Sequence, residues 1–227
     1  MTGKPLGKIA MTATERQRKW RAKVRRRELL AGHRDHPSLR TPPLREDDRD
    51  FWPTPPCLTA ALIEQVLPSL PAAPIWEAAA GDGYLVDALR ATGRRVVASD
   101  IERRRRDIAR HDYLCDAPPA ATKGSIMATN PPFVQIDAFL VRTLALLDSG
   151  HLSAAVLLVR PDFAGTIGRA TLFNRAAFEF TCCWRIRWIA GTTTQPRWWG
   201  QWFAWQAGCN GPPVNKRLRL ADLRGLS

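Results

Sequence analysis

The residues of this chain best suited to chemistry are Asn130, Pro131, Pro132 and Phe133, which follow directly on the short apolar run Ser125-Ile-Met-Ala-Thr129. A buried strand ending in an amide, two prolines and an aromatic ring can hold a planar amine for attack on an electrophilic carbon. An amine attached to a heteroaromatic ring is a poor nucleophile while its lone pair is delocalised. Acceptors on its two N–H groups draw that pair out of conjugation as the transition state forms. Asn130 supplies a neutral side-chain oxygen and Pro131 a carbonyl. The paired prolines fix the backbone and remove two donors, so acceptors face the amine. Phe133 offers a π face to a base drawn out of its stack. That set of groups points to methyl transfer onto nitrogen. The same four residues also fit a strand end, a Pro-Pro turn and a core phenylalanine, and the rest of the chain must decide.

The segment from Pro74 to Leu89 reads as a strand, a glycine turn and a helix, with Gly81 and Gly83 in the turn. Glycines there let the backbone approach a ligand at the helix N-terminus. A dinucleotide fingerprint would place a third glycine at position 86, which is Val86, so a pyrophosphate is disfavoured. A second strand, Arg95-Val-Val-Ala-Ser-Asp100, ends in a carboxylate where ribose hydroxyls are expected. The ligand implied is a nucleoside without a diphosphate. Taken singly, Asp100 also suits a helix cap and Asp112 a turn.

In order along the chain stand Phe51-Trp-Pro-Thr-Pro-Pro56, the Gly81/Gly83 loop, Asp100, His111-Asp-Tyr-Leu114 and Asn130-Pro-Pro-Phe133. This set, over roughly residues 50 to 207, resembles the class I S-adenosylmethionine-dependent methyltransferases, and within them the N6-adenine DNA methyltransferases of phages and prophages. The resemblance implies S-adenosyl-L-methionine as cofactor. It implies Thr54 against the methionine carboxylate, Glu77 on the methionine amino group, and Asp100 on the ribose. It further implies Ile101 against one face of the cofactor adenine, Asp112 accepting from that adenine's amino group, and Tyr113 packing nearby. An N4-cytosine enzyme would more often carry Ser at position 130, and a glutamine methyltransferase Tyr at 133. An RNA or protein methyltransferase, or a non-catalytic DNA-binding relative, remains the alternative.

Cytosine C5 chemistry needs a Pro-Cys nucleophile after the glycine loop, whereas Pro56-Cys57 precedes it. Cys57, Cys115, Cys182, Cys183 and Cys209 have no Cys-x-x-Cys spacing and no pairing with the four histidines, so no metal site is expected. An odd cysteine count without a signal peptide fits a reducing cytoplasm. With 227 residues, 45% of them hydrophobic, the chain can bury a sizeable core, and no apolar run suggests a membrane span.

These residues need a scaffold that brings them to one edge. Alternation predicts strands at 75–80, 95–100, 125–130, 153–160, 183–190 and 201–207, with a short one at 111–114. Helices are expected at 57–67, 84–91, 102–109, 135–148 and 166–176. The result is an α/β, Rossmann-like seven-stranded sheet, mainly parallel, with a C-terminal antiparallel hairpin and helices on both faces. Its ligands should lie beyond the carboxyl ends of the strands. The expected organisation is a basic arm and linker (1–50), a methyltransferase domain (51–207) and a basic tail (208–227).

Charge is concentrated at the start. Residues 1–40 hold twelve Lys or Arg against three acids, a net +9 of the chain's +13. A helix from a capping box at Thr12 to about Ala31 would carry Arg16, Arg21 and Arg25 around its axis, a set suited to double-stranded DNA through counterion release. A solvated terminus is the alternative. Arg103 to Arg106 form a second basic cluster, expected on a helix. The tryptophan-rich stretch 184–205 suits either base stacking or a packed hairpin. Its loop, with Arg197 and Trp198, is the better candidate for touching DNA. Oligomeric state is not legible.

Overall fold

A computed structural model of the chain describes residues 52–182, 200–209 and 213–218. The arm with Arg16, Arg21 and Arg25, the strand expected at 183–190, and the loop with Arg197 and Trp198 lie outside the described residues.

Among the described residues, eight strands form one sheet: β1 (Ile75–Glu77), β2 (Val96–Asp100), β3 (Ala109–Arg110), β4 (Ser125–Thr129), β5 (Leu152–Val159), β6 (Phe178–Cys182), β7 (Gln201–Gln206) and β8 (Val214–Leu218). Their order is β3-β2-β1-β4-β5-β7-β6-β8. Every neighbouring pair is parallel except those of β7, which runs antiparallel to β5 and β6. The expected mainly parallel sheet with a C-terminal antiparallel hairpin is present, but with eight strands rather than seven. The partner of β7 is 178–182. The short strand after β2 is 109–110 instead of 111–114. β8, from the stretch expected as a tail, adds an edge: its Lys216 Nζ lies 4.1 Å from the Phe178 ring centroid and donates to Ser69 Oγ.

Helix α1 (Pro56–Ala61) begins with proline at its first position and continues through a π-turn at Leu62–Val66 into a 3-10 turn at Leu67–Ser69. Pro68 removes the N–H that would bond to the Glu64 carbonyl, so α-helix cannot continue there. Helix α2 (Tyr84–Ala91) follows the glycine turn and α3 (Ile136–Asp148) follows the Asn-Pro-Pro-Phe segment. A single-turn helix, α4 (Pro161–Ala164), precedes the region expected as one helix at 166–176, which instead holds a 3-10 turn, Ile167–Arg169, and the single-turn α5 (Ala170–Phe173).

The two faces of the sheet bury separate clusters. Leu58 of α1, Leu62 and Val66 of the π-turn after it, and Leu85 and Leu89 of α2 meet Ile126, Val156, Leu158 and Trp202 on one side. Phe139, Leu140, Leu144 and Leu147 of α3 meet Trp76, Met127, Leu157 and Phe203 on the other. Strand β5 is apolar almost throughout because both of its faces are covered. Trp202 and Trp205 are fully buried, which places these two in packing rather than stacking. Trp202 Nε1 donates to the Leu58 carbonyl at 3.0 Å and Trp205 Nε1 to that of Leu172 at 3.0 Å, so neither indole leaves its donor unsatisfied.

The segment 102–107 is a loop, not the expected helix. Its apolar content is too small for a helical face, and its arginines find acidic partners instead. Arg105 forms a two-pronged pair with Asp87 of α2 at 2.6 and 2.9 Å and meets Asp107 at 2.8 Å, while Arg90 also binds Asp107. Arg105 Nη1 further reaches the Asp82 carbonyl. Arg105 therefore straps the glycine turn to the end of β2.

Among the described residues no helix is long and apolar enough to cross a membrane, and no group of three His, Cys, Asp or Glu could hold a metal ion.

Candidate active site

Strands β1, β2, β4 and β5 are mutually parallel, so their carboxyl ends share one edge, and Glu77, Asp100, Asn130 and Arg160 stand at or just beyond it. Main-chain hydrogen bonding sets the glycine turn on this edge. Gly81 and Gly83 have φ values of 52° and 86°, a left-handed conformation that costs a side-chain-bearing residue about 1 kcal/mol or more. Gly81 N–H donates to Asp100 Oδ2 at 2.8 Å, and Glu102 N–H donates to Asp100 Oδ1 at 2.9 Å. Asp100 thus holds the turn as well as facing the ligand edge. Gly83 has a second reason to be glycine: a Cβ there would lie 2.4 Å from Arg105 Nη1. Its bare face receives the arginine strap.

Glu77 is almost wholly buried at the end of β1. Its Oε1 accepts from Ala79 N–H at 3.1 Å and from Thr129 Oγ1 at 2.5 Å, while Oε2 is buried without a partner among the described residues. Burial pushes this carboxyl up to about 8, and the nearby Asp100 charge adds to the rise. The two hydrogen bonds act in the opposite direction. A buried acceptor without a donor is costly in an isolated protein and points to an unfilled role.

Asn130 presents a matching case. Its Nδ2 donates to the Trp52 carbonyl at 2.6 Å, and its Oδ1 is buried without a partner among the described residues. The carbonyl fixes which end of the amide is donor, so the free end is the acceptor. Trp52 belongs to the Trp-Pro-Thr-Pro-Pro segment, which this bond ties to the Asn-Pro-Pro-Phe turn. Thr54, in the same segment, is half-buried.

Phe133 is buried rather than an open plate. Its ring meets that of Phe163 edge-to-face at 6.4 Å, and the guanidinium groups of Arg160 and Arg169 each lie 4.8 Å from the Phe163 centroid. Arg169 also pairs with Asp137 at the start of α3, and Arg160 with Asp162. Around this cluster Val134 and Ile167 are 82% and 97% exposed, an apolar rim beside the acceptor turn.

The remaining predicted residues divide. Ile101 is exposed directly after Asp100, available to a ring laid over it. Asp112 caps a turn: its Oδ1 accepts from the N–H groups of Leu114 and Cys115, which hold its carboxyl below the usual range. Tyr113 sits in the core, stacked on Phe139 at 4.6 Å with its hydroxyl bonded to Thr143, and burial pushes it up to about 12. Sequence reading gave no role to Thr129, Phe163 or the Trp52 carbonyl, and it put Arg105 in a basic helical cluster rather than on the glycine turn. Thr129 carried a signal, as a hydroxyl in an apolar strand next to Asn130. A shallow groove of about 520 Å³ along α3 is lined by Leu114, Val141 and Arg142 and contains none of Glu77, Asp100 or Asn130.

The orphaned Oε2 of Glu77, beside a carboxylate held by the glycine turn, fits a cofactor that carries both an ammonium and ribose hydroxyls. The residues present therefore suit S-adenosyl-L-methionine.

No family model matches the chain, and no curated protein matches it significantly in sequence. Solved structures do share its fold. A Pyrococcus horikoshii protein provisionally described as an RNA methyltransferase aligns with a TM-score of 0.51 and 12% identity, over 82% of this chain and 98% of that one. A modification subunit of a provisionally assigned type I restriction enzyme from Vibrio vulnificus aligns with a TM-score of 0.51 and 13% identity. That alignment takes in 92% of this chain and 53% of the subunit, so the chain spans about half the subunit's length. The fold is shared with these solved structures.

Proposed function

We propose that the chain transfers a methyl group from S-adenosyl-L-methionine to the exocyclic N6 of an adenine flipped out of double-stranded DNA. The observation that carries this reading is the Asn130 amide, whose donor end is engaged by the Trp52 carbonyl and whose buried Oδ1 remains to accept from an amine. Glu77, Asp100 and Ile101 on the same edge would hold the cofactor, which supplies an electrophilic methyl on a sulfonium.

The work of the protein is then positional and electrostatic. Asn130 Oδ1 and the Pro131 carbonyl accept from the amine and orient its lone pair in line with the methyl carbon. The N–C bond forms as the S–C bond breaks, and the surplus amine proton leaves to water. Neither step requires a covalent bond to the protein. Phe163, half-buried and edge-on to the buried Phe133, would offer the aromatic face to the acceptor, and the Val134 and Ile167 rim suits the unstacked bases around an extruded nucleotide. The basic arm with Arg16, Arg21 and Arg25, and the Arg197/Trp198 loop, would supply the phosphate contacts.

An RNA acceptor is the second reading, favoured by the shared fold of the Pyrococcus horikoshii protein. Labelled methyl transfer to unmethylated duplex DNA and to unmodified ribosomal RNA in parallel tests both. Label in N6-methyladenine of DNA supports the proposal, and label only in RNA replaces it.

A further inference from the structure

Thr129 is fully buried at the last position of β4, next to Asn130, and its hydroxyl spans to Glu77 at the last position of β1. With the Ala79 N–H, it gives Glu77 Oε1 two donors and leaves Oε2 with none among the described residues. A carboxyl so arranged carries any proton on Oε2, because Oε1 is already facing two hydrogens. An O–H on Oε2 and an incoming ammonium would then be donor against donor.

We infer that Thr129 is a positioning residue that fixes Glu77 Oε2 as the receptor for a primary ammonium, and that binding of this ammonium displaces one proton from the Glu77 carboxyl to solvent. The inference rests on the cofactor reading above and names the ionic exchange at its ammonium end. Before binding, the buried carboxyl is neutral; afterwards it is a carboxylate paired with the ammonium, and the net charge of the site is unchanged. Burying an ion pair in place of a neutral acid is tolerated here because each charge meets a partner. The groups around Glu77 agree. Asp100, from β2, opposes ionisation. The group from β4 is the neutral Thr129 hydroxyl and that from the following turn is the Ala79 N–H.

The test is calorimetric titration of the full chain with S-adenosylhomocysteine, which carries the ammonium and cannot react, from pH 6 to 9 in buffers of different ionisation enthalpy. Affinity is expected to rise about tenfold per pH unit below the Glu77 midpoint and to level off above it, with about one proton released per ligand at pH 6.5. Methylthioadenosine, which lacks the ammonium, should bind with no such slope. Thr129→Val should move the midpoint to higher pH and weaken homocysteine-analogue binding about tenfold at pH 7, and Thr129→Ser should restore both. An infrared carbonyl band of a protonated carboxyl in the free protein, absent in Glu77→Gln, reads the proton without any ligand.

Binding that is independent of pH and releases no proton overturns the inference while leaving the cofactor reading intact, as does Thr129→Ser behaving like Thr129→Val. A folded chain that binds neither ligand at any pH overturns the cofactor reading itself.

Discussion

Asn130 Nδ2 donates to the main-chain carbonyl of Trp52 across 78 residues of sequence at 2.6 Å, and this one bond decides which end of the amide is the donor and which is left to accept. Replacement by Asp would set a carboxylate oxygen against that carbonyl, two acceptors at hydrogen-bond distance. Asn130→Asp should therefore lower stability by about 1–3 kcal/mol and abolish turnover together. Thermal melting beside a methyl-transfer assay checks both, and a fully stable, active Asp variant would contradict the assignment.

Glu77 links stability to pH. Its folded value of about 8 lies above the ordinary 4.5, so the folded state keeps a proton that the unfolded state has already lost. The contribution is fully present below about pH 4.5 and is lost as pH rises through about 8. The ligand-free protein should lose on the order of 5 kcal/mol from this group across that window. Glu77→Gln should remove the dependence, melt higher than the wild type at pH 8.5, and bind no cofactor. Denaturant titrations at pH 5 and 8.5 measure the difference.

Gly83 and Arg105 should be coupled. Gly83→Ala meets both a positive φ and the strapped guanidinium, and is expected to cost about 2–4 kcal/mol. In an Arg105→Ala background only the backbone strain remains, and the cost should fall to about 1–2 kcal/mol. A double-mutant cycle by urea unfolding isolates the shared term, and strict additivity would show that Arg105 does not occupy the face of Gly83.

Trp202 joins β7 to α1 through its indole bond to the Leu58 carbonyl. Trp202→Phe removes the indole bond, leaves the Leu58 carbonyl with its helical partner, the Leu62 N–H, and opens a small void, and should cost about 1–2 kcal/mol without changing cofactor affinity in the protein that remains folded.

Much of this site was legible because it is local. A glycine turn, an acid at a strand end and Asn-Pro-Pro-Phe after an apolar run are each set by a few adjacent residues, and parallel strands bring their ends to one edge. What the sequence concealed depends on distant partners. Arg103 to Arg106 read as a helix, yet Asp82 and Asp87 hold Arg104 and Arg105 in a loop. Phe133 was expected as an open plate, but Phe163 and the core beneath cover it. Strand β8 has a basic, largely exposed sequence that gains its place from pairing with β6 and from the Lys216 bond to Ser69. Thr129 looks like one more strand residue until Glu77 is seen beside it.

The most direct measurement is transfer of labelled methyl from S-adenosyl-L-methionine to unmethylated duplex DNA by the wild type and by Asn130→Ala, with nucleoside analysis of the product and cofactor binding measured alongside. The account predicts N6-methyladenine from the wild type, a loss of about 10²-fold to 10³-fold in turnover for the variant, and unchanged cofactor affinity. An Asn130→Ala protein that methylates DNA at the wild-type rate, or a wild type that binds cofactor and modifies no adenine, would contradict it.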